Sequence, residues 1–331
     1  MSTEARLHHT VPRFYLKGFA KEGKLVTVEL PGDRRFTQNV SQAAAVNYFY
    51  SVPGHPDGSD VFERALSKVE GDAARVLRLV LEEGMWPLSA VDRAVLATFM
   101  TLQFLRGPDH RRQMEEIATA AARLLVQATG RDGFLRQAES GGERMSEDEA
   151  ARTWKLLSAE NAIQASVSAS GHIDQILHLL PQLVRYIVGR PWILVRFTQR
   201  SLITSDTPLS PLPDPKSDPY GRVGLMTAWG MTFPLNRQAG LILASPDPFI
   251  DAAQDAEAVR RGTFDRQQKG TTQYERFFNV STSVNARRWI FHHPDDARFV
   301  PPELPDPSDG PMRAETILRD VIQNADPAGH A

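Results

Sequence analysis

Cysteine is absent from this chain of 331 residues. That excludes disulfides, thiolate metal centres and a cysteine nucleophile, and leaves His, Asp, Glu and backbone oxygen as the ligands a transition metal would use. An excess of one charge is also lacking. Its 38 basic and 40 acidic residues leave a formal charge of −2, which argues against broad nucleic-acid binding while allowing a local basic patch. No window approaches the roughly 20 apolar residues of a bilayer span. The opening MSTEARLHHT has no basic region followed by an apolar run of about 7–15 residues. The expectation is a soluble, cytoplasmic protein with no membrane partner. Phosphate loops, dinucleotide fingerprints, the H-E-x-x-H zinc helix, the kinase set and the G-x-S-x-G elbow are all missing.

What remains is ordinary for a soluble globular chain, 41% hydrophobic and 24% charged, and its texture changes twice. Residues 11–19 read as a short helix with Pro12 in its first turn, where a missing N–H costs little. Residues 24–30 alternate as a strand, turn at 31–33 and pair with 34–38; 47–52 form a further aromatic strand. The pattern then becomes helical. Phe62, Leu66, Val69, Ala73, Val76, Leu77 and Val80 recur at spacings of three and four, residues 92–106 repeat the stripe, and 109–129 make another helix. Residues 132–145 read as a mobile loop, and helices resume over 146–188 with a break near 166–171. After Gly189 the texture is β. Strands at 192–198 and 202–204 flank a turn, 231–235 and 241–243 form a hairpin, and 211–219 is a Pro- and Asp-rich loop between them. A helix over 271–287 leads to a last strand at 289–291. The predicted class is α+β in one domain over 1–293: a hairpin unit (1–58), a helical middle (59–188) and a β-rich part with one helix (189–293). Residues 294–331 read as a Pro/Asp-rich tail with a short amphipathic helix near 313–323.

The opening His8-His9-x-Val11-Pro12-x-x-Tyr15-Leu16-x-x-Phe19 is the most specific pattern in the chain. It is joined by Phe62-Glu63 with Glu70, by Arg106-Gly107-Pro108, by Ile203-Thr204-Ser205-Asp206-x-Pro208, by Phe233-Pro234-Leu235 and by the late Asn285. In this order the segments resemble DUF4238, a bacterial family whose activity is unknown. The resemblance covers most of the chain up to about residue 293. It implies one intact architecture, with any chemistry gathered from distant segments, and it places Asn285 among the substrate-binding candidates.

Each motif has a chemical reading and a bland one. Histidine exchanges protons near neutral pH and ligates metals, so His8 and His9 are candidate catalytic groups. Neighbours point about 100° apart on a helix and oppositely on a strand, so both rings do not grip one ion from regular backbone. Either one serves chemistry while the other packs, or both are tied to backbone carbonyls. Glu63 and Glu70 share a helix flank roughly 10 Å apart, too far to chelate one ion unaided. Either could join a site completed by His8 or Asp206, or pair on the surface with Arg64 or Lys68. Arg106 and Arg111 suit bidentate capture of phosphate or carboxylate, beside a helix N-terminus near Asp109. Arg106 is the one expected inside, where Glu63 or Glu70 would be its structural partner. Asp206 at a strand end is a candidate general base and Ser205 a donor, against an Asx or Ser turn that merely ends the strand. His9, Asp206 and Glu70 form the candidate ligand set for a divalent metal activating water. The pair His172 and His178 lacks the spacing of a two-ligand helix face and reads as incidental; His292-His293 reads as a surface loop.

Two functions follow. One is a metal-dependent hydrolase acting on a phosphate-containing or nucleic-acid substrate, with His8 or His9, Ser205, Asp206 and Glu63 catalytic and Arg106, Arg111 and Asn285 holding the substrate. The alternative is a non-enzymatic binding or regulatory module in which these residues form a structural network. Convergence of the histidines, Asp206 and Arg106 in an open pocket favours the enzyme. Dry mutual pairing favours the module.

Overall fold

A computed structural model describes residues 7–52, 54–140, 146–159, 162–215, 223–245 and 253–307. The class is α+β. Strand β1 (Leu7–His9) leads into α1 (Arg13–Leu16) and a 3-10 turn at Lys17–Phe19. The hairpin β2 (Lys24–Glu29) and β3 (Arg34–Asn39) follows, then β4 (Ala45–Asn47), which pairs antiparallel with β1. Strand β4 lies before the aromatic run expected to be extended: residues 48–50 are a turn, and it buries Tyr50 while β1 and β4 pair alongside. The helical middle comprises α2 (Val61–Leu81), α3 (Ala90–Leu105), α4 (Pro108–Ser140), α5 (Glu147–Leu157), α6 (Ala169–Leu183) and α7 (Arg185–Val188). Side-chain caps at Ser89, Ser146 and Ser168 start α3, α5 and α6, each satisfying an otherwise orphaned N–H. The stretch after residue 132 is helical rather than looped as far as Ser140, because α4 resumes beyond a kink at Gly130 (φ 63°); 141–145 lie outside the described residues.

The β-rich part does not pair as its order suggests. Strand β5 (Trp192–Arg196) is not the hairpin partner of β6 (Thr204–Ser205). With β7 (Ser210–Leu212), β8 (Gly230–Asn236), β9 (Ala239–Leu243) and β10 (Arg266–Lys269), β5 builds a five-stranded sheet in the order β10-β5-β9-β8-β7. Strand β7 overlaps the start of the loop expected over 211–219. Strand β6 instead joins β11 (Trp289–His292) in a four-stranded sheet ordered β3-β2-β11-β6, so the N-terminal hairpin is completed by the far end of the chain. Local spacing cannot report such pairing, since a strand's partner is chosen by the face it must bury. Two helices, α8 (Ala253–Arg260) and α9 (Thr272–Asn285), occupy this part where one was expected. Residues Pro294–Phe299 form a 3-10 turn in which Asp296 is buried and bidentate to Arg237, at 2.8 and 2.7 Å. The helix expected near 313–323 lies outside the described residues. Among the described residues, no helix is long and apolar enough to cross a membrane.

One core runs through all three parts. Val11, Tyr15, Leu16 and Phe19 pack with the second half of the α2 stripe (Ala73, Val76, Leu77 and Val80), with α3, with β5, β8 and β9, and with Phe277 and Phe278 of α9. Burying side chains of this size contributes on the order of 1.5–3 kcal/mol each. The opening aromatic run is therefore an anchor. The Tyr15 hydroxyl donates to the Pro234 carbonyl at 2.7 Å and shares a 2.8 Å hydrogen bond with Thr204. Gly18 permits this docking: a Cβ there would lie 2.9 Å from the Asn236 Cβ, where the Arg237 N–H donates to the Gly18 carbonyl.

The helical middle and the large sheet are joined by a buried ion pair. Arg93 donates to both carboxylate oxygens of Asp265, at 3.0 and 3.1 Å, and lies 4.0 Å over the Trp192 ring. Asp265 also accepts the Trp192 N–H at 2.8 Å. Arg93→Met or Asp265→Leu alone is expected to cost about 3–5 kcal/mol by stranding a buried charge. The double variant should recover a large part of that loss. Urea unfolding of the four proteins checks the expectation, and additive losses in the double variant would contradict it.

Candidate functional site

The motif residues fall into two groups, each built around backbone. The first surrounds Arg106 at the end of α3. Its side chain is fully buried, and a buried guanidinium must be met by acceptors. One Nη donates to Glu70 Oε1 at 2.8 Å, the other to the carbonyl of His9, and Nε reaches the Tyr50 hydroxyl at 3.4 Å. That hydroxyl donates in turn to the Arg106 carbonyl at 2.6 Å. Burial disfavours the charge on Arg106, but Tyr50 and Glu70 hold its pKa above the ordinary value. Glu70 is thus a partner of Arg106, and Arg64, its expected surface partner, pairs with Asp60. Glu63 lies within the electrostatic reach of both. Burial raises its pKa, and its Oε2 has no hydrogen bond among the described residues.

The histidines follow strand geometry. His8 turns inward from β1, where its Nδ1 accepts the Tyr50 N–H at 2.8 Å and its ring stacks on Tyr50 with centroids 5.9 Å apart. His9 turns the other way, its Nε2 3.1 Å from the Ser41 carbonyl, and burial lowers its pKa. His172, expected to be incidental, is buried in the same cluster. Its Nε2 donates to the Leu105 carbonyl at 3.2 Å, and burial pushes its pKa down to about 4. Arg111 donates to the Val167 carbonyl and stacks on Phe49.

The second group lies at the end of β6. Asp206 accepts three successive backbone N–H groups: Arg287 on Oδ1 at 2.9 Å, then Arg288 and Trp289 on Oδ2 at 2.9 and 3.1 Å. Such donors favour the carboxylate, yet burial pushes Asp206 up to about 6, with the charge of Asp109 acting in the same direction. The Ser205 hydroxyl donates to the Thr207 carbonyl and accepts the Thr207 N–H, a local Ser turn. Asn285 donates to the carbonyls of Thr207 and Leu209 at 2.8 and 2.9 Å. His292 and His293, expected on the surface, are both buried, and His293 Nδ1 accepts the Asp295 N–H.

The two groups meet through a pair that the sequence reading did not single out. Asp109, in the first turn of α4, accepts from Arg287 Nε at 3.1 Å. The signals were weak: an acid in a first helical turn, and an arginine two residues after Asn285. Both line a cleft of about 620 Å³ between the four-stranded sheet, β4 and the start of α4. Phe36, Trp289 and Phe291 supply aromatic wall; Gln38, Gln42, Arg112, Arg288 and Asp206 supply polar groups. Behind the pair, a cavity of about 30 Å³ is lined by Asp109, His110 and Arg287, room for about one water. His8, Glu63, Glu70, Arg106, Arg111 and Ser205 are not on the cleft wall. His9, Asp206 and Glu70 are not brought together as ligands: among the described residues, no three His, Asp or Glu side chains form a group able to hold a metal ion.

The chain belongs to the family described as protein of unknown function (DUF4238), which matches residues 7–296. No curated protein and no solved structure matches it.

His172 makes the buried cluster sensitive to acid. Its folded pKa, about 4, lies below the ordinary value of 6.5, so the unfolded chain binds the proton more readily. The contribution is complete above pH 6.5 and is lost as pH falls towards 4, by on the order of 3 kcal/mol. The stability of the wild type relative to His172→Gln should therefore fall across that window in denaturant titrations. A difference that does not change with pH would contradict the assignment.

Proposed function

We propose that this chain is a non-enzymatic binding module whose ligand lies in the cleft between the four-stranded sheet and the start of α4. One observation carries the reading. Arg106, His8, Ser205, Asp206 and Asn285 all direct polar atoms to this chain's own backbone, whereas the cleft beside them is walled by side chains from several separate segments. A general base or metal ligand needs a lone pair free for substrate or ion, and the three N–H groups on Asp206 leave about one of its four acceptor positions, on Oδ1. The network serves to hold the cleft in shape, which lowers the ordering cost of binding.

The walls suggest the ligand. The Phe36 and Trp289 rings meet edge to face at 6.0 Å, and Arg288 lies over Trp289 at 4.9 Å. Amide side chains of Gln38 and Gln42 stand in the same cleft. An aromatic wall beside neutral amides suits a flat molecule with donors and acceptors on its edge, the chemistry of a nucleobase.

Titration with a panel of nucleosides, followed by tryptophan fluorescence and calorimetry, tests this. Saturable binding is expected, weakened about tenfold, or 1.4 kcal/mol, by Gln42→Ala and more by Trp289→Leu. Asp206→Asn should lower thermal stability, and Mg²⁺, Mn²⁺ or Zn²⁺ should leave the wild-type melting temperature unchanged. Metal-dependent cleavage of bis(p-nitrophenyl) phosphate by the wild type, lost in a folded Asp206→Asn variant, would overturn the reading in favour of a hydrolase.

A further inference from the structure

A second cleft, of about 660 Å³, opens where Gln199 and Arg200, the first turns of α9 and residues 298–302 meet. It shares no lining residue with the first. Its walls carry three guanidiniums, Arg200, Arg276 and Arg298, against one carboxylate, Glu275; three positive charges against one negative leave an excess of two. Arg200 is held by Glu275 at 3.1 Å. Among the described residues, no hydrogen bond or ion pair engages Arg276 or Arg298. Arg276 sits beside the Glu275 charge, and Arg298 lies 4.7 Å over the Phe299 ring. Thr272 of the first turn of α9 stands in the same wall, so the positive end of that helix adds to the field.

The cleft is also braced. Asn279 Oδ1 accepts the Ile203 N–H at 3.1 Å, and its Nδ2 is shared among the Ser201 carbonyl, Glu275 Oε1 and the Phe299 carbonyl, at 3.1, 2.8 and 3.0 Å. A single buried amide thus ties the loop, the helix and the end of the 3-10 turn, and fixes the walls from which the arginines project. Bracing of this kind leaves less order to impose when a ligand enters.

We propose that this cleft binds the phosphate group of a small organic phosphate, with Arg276 and Arg298 as its principal contacts. An excess of two positive charges matches a phosphate dianion, and guanidinium forks fit its oxygens bidentately. Phe299, Val280 and Pro302 offer apolar surface beside them for the carbon part of the ligand. A nucleic-acid strand fits less well, since the chain carries a formal charge of −2 and such binding draws on an extended basic surface.

Calorimetric titration of the full chain with phenyl phosphate, inorganic phosphate and benzoate tests the site, at about 0.15 M salt so that long-range attraction is screened. Phenyl phosphate should saturate with a Kd near or below about 1 mM, inorganic phosphate should bind more weakly at the same site, and benzoate should not saturate. Arg276→Gln and Arg298→Gln, both exposed in the wild type, should each weaken phenyl phosphate about tenfold with unchanged thermal melting in its absence. Absence of saturation, or affinity unchanged in both variants, would overturn the proposal. Tighter binding of a short single-stranded RNA through the same two arginines would overturn the small-ligand class. Nucleoside binding at the first cleft has no bearing on these outcomes, because the two sites use different residues.

Discussion

A guanidinium removed from water must find acceptors inside the protein, and at Arg106 they come from parts of the chain far apart in sequence. The His9 carbonyl belongs to the N-terminal strand, the Glu70 carboxylate to α2, and the Tyr50 hydroxyl to the turn after β4. Each acceptor is itself held: β1 pairs with β4, Glu70 flanks the stripe by which α2 packs into the core, and Tyr50 returns a hydrogen bond to Arg106. Removing any member would strand a charge with little water near it. The opening segment, the hairpin unit and the helical middle therefore adopt one mutual arrangement.

The same logic recurs at Asp206. Three consecutive N–H groups at 287–289 need an acceptor where the chain leaves α9 for β11, and a carboxylate at the end of β6 provides it. Asn285 and Ser205 complete the corner by holding the turn at Thr207. The Asp109–Arg287 ion pair then connects this corner to the start of α4. Residues scattered in sequence thus meet as contacts between distant segments, beside the first cleft.

Much of the architecture was legible because it is local. The stripe of α2 emerges from spacing alone, since residues three and four apart share a helix face. The hairpin β2–β3 and the pair β8–β9 are close in sequence and bounded by turn residues. Burial of Arg106 was readable from its continuation of the Phe99 and Leu102 face, and Glu70 was one of the two partners expected for it. The pairing of β6 with β11, the placement of β5 between β9 and β10, and the meeting of Asp109 with Arg287 were not readable. Each joins segments tens to hundreds of residues apart, and no spacing rule spans that distance. His292 and His293 are buried where a surface loop was expected, for a related reason. A histidine carries no mark of burial in its own sequence, and its surroundings are supplied by other elements.

By itself the sequence determined the absence of thiol chemistry, the α+β alternation, the family, and the inward anchoring of an aromatic N-terminal segment. These rest on composition, periodicity and a contiguous motif. Only the tertiary structure decided what the motif's polar residues touch. A carboxylate, an imidazole or a guanidinium has the same capacity for catalysis and for bracing, and the choice depends on which atoms stand within about 3 Å of it. For Arg106, His8 and Asp206 those atoms are this chain's own backbone and side chains.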